Sequence, residues 1–187
     1  LSLELSGASD GELAALQLSG NSAAAREIMR RHRDSIYRLV QSHIGDASEA
    51  LDLTQEAFIA AFAGLRSYDH RRPFRAWLSR IAINKCRDWA RRRAVRRFFT
   101  FAAPLEAANY TAADLVPADQ VLAAAQELAT VRTAIAALPV ALKEPLILRT
   151  IEGLSETETA QALGISNKAV ETRLYRARAA LGKAVAR

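Results

Sequence analysis

Apolar and polar residues recur with a helical period along most of this chain, and Gly, Pro and capping residues divide it into segments. Residues 1–9 carry no such period and are expected to be frayed. Asp10 is placed to cap a short helix, GELAALQLSG, that Gly20 ends. Asn21 caps a longer one running to about Ile44, with Gly45 just past it. In that helix Ile28, Ile36, Leu39 and Val40 form the core stripe, and Arg26, Arg30, Arg31 and Arg33 keep it soluble. Asp46 then caps ASEALDLTQEAFIAAFAGL, which Gly64 helps to close. Leu51, Phe58, Phe62 and Leu65 fall within about 60° of one another and are expected to face the core. Glu49, Asp52 and Glu56 share the opposite side with Leu53 and Ala60 among them, and Gln55 lies near the core edge.

After a polar loop, RSYDHRRP at 66–73, Pro73 opens the longest uninterrupted pattern, Phe74–Arg97. Phe74, Leu78, Ile81 and Trp89 group as its core face. Trp77, Arg80, Asn84, Arg87 and Arg91 line up along another side. A periodic pattern resumes near Ala118. Pro139 opens VALKEPLILRTIEG, with Pro145 expected to shift its start. Ser155 and Glu158 form a capping box for ETETAQALG, which Gly164 ends. The turn GIS leads into NKAVETRLYRARAALGKAVAR, where Val170, Leu174, Ala177 and Leu181 make the buried side. Lys168, Glu171, Thr172, Tyr175 and Arg176 make the outer side. Helix, Gly-containing turn and basic helix form a helix-turn-helix pattern whose outer stripe has donors and acceptors for base edges. The alternative is an ordinary helical hairpin.

The fold class is therefore all-α: two small helical domains joined by a flexible acidic linker, the C-terminal one a helix-turn-helix. The expected boundaries are 1–97, 98–119 and 120–187. Phe98–Val131 holds no Lys or Arg but contains Glu106, Asp114, Asp119 and Glu127, with Pro104 and Pro117 breaking the period. About 20 linker residues extend to about 60–70 Å, enough for two DNA-binding units to sit on separate sites. Phe98, Phe99 and Phe101 are expected to pack back onto a domain.

Charge sharpens this picture. Of 187 residues half are apolar and 6% aromatic, a balance that favours helices, and the pI near 10 calls for an acidic partner. Lys85–Arg97 holds seven basic residues and one acid, a net +6 equal to that of the whole chain. A basic stripe with an aromatic and an amide in it suits a polyanion that offers bases to stack on, though a solvated amphipathic helix has the same period. Conversely, no Lys or Arg lies between Asp46 and Leu65, and an acidic face with an exposed leucine suits a basic protein partner. No apolar run approaches the ~20 residues of a membrane span, and the N-terminus lacks the pattern of a secretory signal. The lone Cys86 excludes an intrachain disulfide and leads to the expectation of a reducing cytoplasm, its thiol an inert packing group. No cluster of metal ligands or catalytic groups is present, so no cofactor, metal or enzymatic activity is expected. His70 has no Ser, Cys or second His placed to work with it.

Three stretches together carry a resemblance: DLTQEAFIAAF at 52–62, FRAWLSRIAIN at 74–84 with RDWARRR at 87–93, and ALPVALKEPLILRTIEGLSETETAQALGISNKAVETRLYRARAAL at 137–181. In this order, with an acidic linker between them, they resemble the extracytoplasmic-function (ECF) group of the sigma-70 family, the promoter-specificity subunits of bacterial RNA polymerase. The resemblance implies that the DLTQEAF helix docks on the clamp coiled coil of the core polymerase's largest subunit, through Glu49, Asp52, Leu53, Gln55 and Glu56, with Phe58 beneath as core. It implies that the 66–73 loop with Tyr68 forms a pocket for a flipped −10 base. Asn84 would read a base, and Arg80, Lys85, Arg87 and Arg91 would hold phosphates. Trp77 and Trp89 match family positions that are mainly structural. Lys85 and Cys86 stand where the family carries aliphatic or small residues, and are expected to tune affinity. The last helix would read the −35 element with Lys168, Thr172, Arg173 and Arg176, beside Glu171 and Tyr175. Glu171 either accepts from a cytosine amino group or orients Arg176. Promoter DNA, core polymerase and an anti-sigma protein are the implied partners. A free-standing helix-turn-helix regulator and a nucleic-acid hydrolase are the alternatives; the first leaves the acidic helix without purpose, and the second lacks converging metal ligands.

Overall fold

The computed structural model describes residues 5–100 and 119–185, so the expected linker lies mostly outside the described residues, as does Phe101. Among the described residues all regular structure is helical. A first unit holds α1 (Asp10–Leu18), α2 (Ser22–Ile44), α3 (Ala47–Ala63) and α4 (Phe74–Thr100). A second holds α5 (Asp119–Ala137), α6 (Val140–Thr150), α7 (Glu156–Leu163) and α8 (Asn167–Val185). Helix α2 is the hub of the first unit, packing on α1, α3 and α4, and α8 is the hub of the second, packing on α5, α6 and α7.

The helix ends follow local chemistry. Asn21 and Asp46 accept backbone N–H bonds at the starts of α2 and α3, and Ser155 and Glu158 close the capping box of α7, each such cap contributing about 1 kcal/mol. Gly45 and Gly164 end α2 and α7 in the left-handed region, where a side chain is strained. At α1 the cap is Ser9, in a box with Glu12, and Asp10 is the first helical residue. The Asp10 carboxylate instead meets His32 Nε2 at 2.9 Å and accepts from Arg31 at 3.2 Å. Arg31 also donates to the carbonyls of Leu5, Ser6 and Ala8. Residues 5–9 are therefore pinned to α2 and not frayed as expected.

Helix α3 corrects two assignments. Leu53 is 2% exposed and Leu51 48%, so the expected roles of these leucines are exchanged. The buried face is Ala50, Leu53, Ala57, Phe58 and Ala61, where three alanines allow close approach of neighbouring helices. In α4 the core residues Phe74, Leu78, Ile83, Cys86 and Trp89 are buried, and Trp89 Nε1 donates to Glu49 at 2.9 Å. Phe98 is 79% exposed. Pro145 lies within α6 without shifting its start, in the buried run Lys143–Leu148.

None of the described helices is long and apolar enough to cross a membrane. The expectation of a cytoplasmic setting is corrected. It rested on the unpaired cysteine, but Cys86 is 0% exposed and burial pushes its thiol up to about 12. Its reduced state follows from packing and carries no information about compartment.

Candidate functional site

Three surfaces gather the residues singled out from the sequence. The first is the concavity between the end of α3, the 66–73 loop and α4, about 530 Å³ in volume, within the ~300–1,000 Å³ of small-ligand clefts. Tyr68, Arg80 and Asn84 all line it, together with Trp77, Asp69 and Arg72. Tyr68 is 7% exposed and its hydroxyl donates to the Arg72 carbonyl at 2.7 Å, so it presents a ring wall rather than a free donor. That ring stands edge-on to Phe74, with centroids 5.1 Å apart, and 5.3 Å from Trp77, an aromatic base that fixes the loop on α4. Arg80 and Asn84 are exposed above it.

The other expected members of this group lie beside the concavity and already have partners. Lys85 Nζ is 3.5 Å from Glu56, Arg91 pairs with Asp88, and Arg87 reaches across to the second unit. Arg87 Nε and Nη2 donate to the two Glu144 carboxylate oxygens at 2.7 and 2.5 Å. Burial works to raise the Glu144 carboxyl, but Arg87 and His43 outweigh it and hold the group below the usual carboxylate range. Arg93 lies over the Trp89 ring at 4.9 Å, leaving that indole covered.

The second surface is the outer side of α3. Asp52 and Gln55 are exposed and Glu56 half-buried, so Gln55 belongs to this face and not to the core edge. Leu53 cannot contribute, because it is enclosed; Leu51 and Ile59, 48% and 69% exposed, flank Gln55 one turn away on either side. Glu49 is half-buried and engaged by Trp89. Leu51 and Ile59 were missed because apolar residues occur on nearly every side of α3. The buried alanines were the signal that orients it.

The third surface is the outer stripe of α8. Lys168, Glu171, Thr172, Tyr175 and Arg176 are exposed, Tyr175 by 76%, while Arg173 is half-buried. Glu171 pairs with Lys168 at 2.7 Å, so the carboxylate serves that lysine and does not orient Arg176. The Thr172 hydroxyl donates to the Lys168 carbonyl at 2.8 Å, within its own helix. Asn167 opens α8 and its amide donates to Thr157 of α7 at 3.3 Å, which helps set the angle of the helix-turn-helix.

A basic helix beside an aromatic-based cleft, an acidic helix face and a helix-turn-helix together fit the class of multi-surface DNA-binding proteins. Comparison with known proteins narrows that class. Residues 28–96 match the family model of Sigma-70 region 2, and residues 128–181 that of Sigma-70, region 4. The chain is 40% identical over 175 residues to the RNA polymerase sigma factor CnrH of Cupriavidus metallidurans, covering 92% of each chain. It is 33% identical over 169 residues to the ECF RNA polymerase sigma factor SigW of Bacillus subtilis, covering 88% of this chain and 90% of that one. The solved structure of CnrH in complex with the cytosolic domain of CnrY superposes with a TM-score of 0.69 at 34% identity, covering 93% and 95%. The sigma factor RpoE of Bartonella quintana, solved with the anti-sigma factor NepR, shares the fold at 21% identity and a TM-score of 0.68, covering 86% and 95%. The chain belongs to the sigma-70 family and is an RNA polymerase sigma factor of the ECF type. It binds RNA polymerase and recognises promoters, and as a sigma factor it is not an enzyme.

Proposed function

We propose that the three surfaces divide the work of promoter opening as follows. The outer side of α3 docks on the clamp coiled coil of core polymerase through Asp52, Gln55 and Glu56. Leu51 and Ile59 supply the apolar contact first assigned to Leu53, while Glu49 acts through its bond to Trp89. The concavity takes a base flipped from the −10 element against the Tyr68 wall, Asn84 reads it, and Arg80, Lys85, Arg87 and Arg91 hold the phosphates of the opened strand. The α8 stripe reads the −35 element with Lys168, Thr172, Arg173 and Arg176, beside Tyr175, and Glu171 tempers the lysine. Residues 1–97 and 120–187 act as the two domains and 98–119 as the linker. An anti-sigma protein holds the factor inactive by covering the α3 and α4 faces.

The observation that carries this reading is the convergence of Tyr68, Arg80 and Asn84 on one cleft. The test is run-off transcription with core polymerase and this chain, with permanganate mapping of unpaired thymines. Promoter-specific transcripts are expected, with loss of −10 reactivity in Asn84→Ala. Normal opening by that variant overturns the base-reading role. Duplex binding without any affinity for core polymerase overturns the docking scheme.

A further inference from the structure

The loop that walls the cleft is held from behind by the first residues of the chain. Arg31 ties this segment to α2 through the carbonyls of Leu5, Ser6 and Ala8, and it also pairs with Asp10 at 3.2 Å. Asp10 opens α1, and its Oδ2 lies 2.9 Å from Nε2 of His32, a residue only 9% exposed. The bond from His32 is the main force holding the Asp10 carboxyl below its ordinary range. An ionised carboxylate only accepts, so Nε2 carries the proton, and the bond sets how the imidazole lies. That ring stands 5.5 Å from Phe74. Phe74 in turn is edge-on to Tyr68 at 5.1 Å and 5.4 Å from Trp77, and both of these line the cleft. His70 of the loop stacks edge-on to Tyr68 at 4.9 Å, and a β-carbon on Gly11 would sit 3.5 Å from His70 Nδ1, so the start of α1 abuts the loop. Asp10 and Gly11 both precede residues 28–96, the part that the region 2 family model matches.

We propose that Asp10 and His32 are positioning residues for base capture: the pair braces Phe74, and through it the Tyr68–Trp77 wall, and so sets how well the cleft holds an unstacked base. The proposal rests on the base-capturing role given to the cleft. Neither residue lines it, so the pair acts through the wall and not on the strand. A stacking surface gains its full dispersion energy only at contact distance, and a radial gap of about 0.5–1 Å forfeits a quarter to a half of it. A turned imidazole that lets Phe74 shift by that much therefore weakens the grip on a base. Arg80 is exposed on α4 and makes no bond to the pair, so contacts to the strand's phosphates should outlast its loss. Base selectivity and backbone affinity are thus carried by separable parts of the first unit.

The experiment measures how tightly the full chain bound to core polymerase holds a fluorescent single-stranded oligodeoxynucleotide. The probe carries the −10 sequence of a promoter found by run-off transcription, intact or with an abasic site at each position in turn. In the wild type, the position where base removal weakens binding most marks the captured base. Asp10→Ala should bind the intact probe about tenfold more weakly, within the range for one base stacked on an aromatic side chain, and the probe abasic at that position as the wild type does. Asp10→Asn keeps an acceptor for His32 and should stay within about threefold of the wild type. His32→Gln keeps a donor for Asp10 but not the ring against Phe74. It should lose selectivity as Asp10→Ala does, with the fold intact by circular dichroism, and it decides alone if Asp10→Ala fails to fold. Affinity for core polymerase should be the same throughout. Equal losses on intact and abasic probes, or full selectivity in His32→Gln, overturn the bracing role. A wild type indifferent to base removal at every position overturns the base-capture reading, and the bracing role with it.

Discussion

Glu152, in the turn after α6, allows a quantitative test of what holds the two units together. Its three donors, Ser35 Oγ at 2.7 Å, Ser79 Oγ at 3.1 Å and Arg75 Nε at 3.1 Å, differ in solvent access. Ser79 is 0% exposed and Ser35 9%, whereas the Arg75 side chain is 42% exposed. A hydrogen bond to a charged group inside a protein contributes about 1.5–3 kcal/mol, while ion pairs open to solvent are worth about 0.2–1 kcal/mol. The buried hydroxyls should therefore outweigh the arginine despite its formal charge. Glu152→Ala strands Ser79 and leaves Ser35 only its 3.4 Å bond from Arg75 Nη2, and is expected to cost about 3 kcal/mol, the lower end for breaking a buried charged pair, since Arg75 also reaches water. At about 2–4 °C per kcal/mol for a chain of this size, the melting temperature should fall by roughly 6–12 °C. The assay is urea unfolding of two double-mutant cycles, Glu152→Ala with Ser79→Ala and Glu152→Ala with Arg75→Ala. Tryptophan fluorescence follows the first unit and circular dichroism the whole chain. A coupling for Arg75 larger than that for Ser79 refutes the ranking. Couplings all below about 0.5 kcal/mol refute the enclosure of Glu152 itself.

Burial holds His43 below its ordinary value of 6.5, against the pull of Glu144 and with help from the charges of Lys143 and Arg87. The unfolded chain then binds the proton first, so stability is lost as pH falls below about 6.5, and His43→Gln should flatten the urea midpoint between about pH 7 and 5.5. Leu53→Ala should cost about 2–5 kcal/mol, whereas Leu51→Ala should change stability by less than about 0.5 kcal/mol and weaken core polymerase binding; urea unfolding and a core pull-down check both. Arg176→Ala should reduce discrimination at the −35 element by about 1–3 kcal/mol, read as the affinity ratio of matched and mismatched duplexes for the polymerase-bound factor, and an unchanged ratio rejects the α8 assignment.

Local chemistry made much of the fold legible. Asn21, Asp46, Ser155 and the glycines at 45 and 164 each act within a turn of their own position, so their caps could be read residue by residue. The helix-turn-helix follows from the same short-range rules. Phase on α3 was not legible by large apolar residues alone, because Leu51, Leu53, Ile59 and Phe62 spread round the helix; Ala50, Ala57 and Ala61, small enough for close packing, carry the true orientation. The contact between the two units was hidden for a different reason. Glu144 and Arg87 are separated by 57 positions, and Glu152 and Ser35 by 117, distances over which no periodicity connects them. The same distance hid from the sequence the partner that Arg87 has in Glu144.

Cys86 sits in the middle of α4, fully enclosed, one position before Arg87, with its thiol held up to about 12. Alkylation requires the thiolate, so this sulfur stays silent while α4 is packed and reacts when the helix breathes. The chain thus carries a single-site chemical clock on α4. Its labelling rate reports helix opening without any engineered residue, and a cysteine introduced on the surface would be the fast-reacting handle beside it.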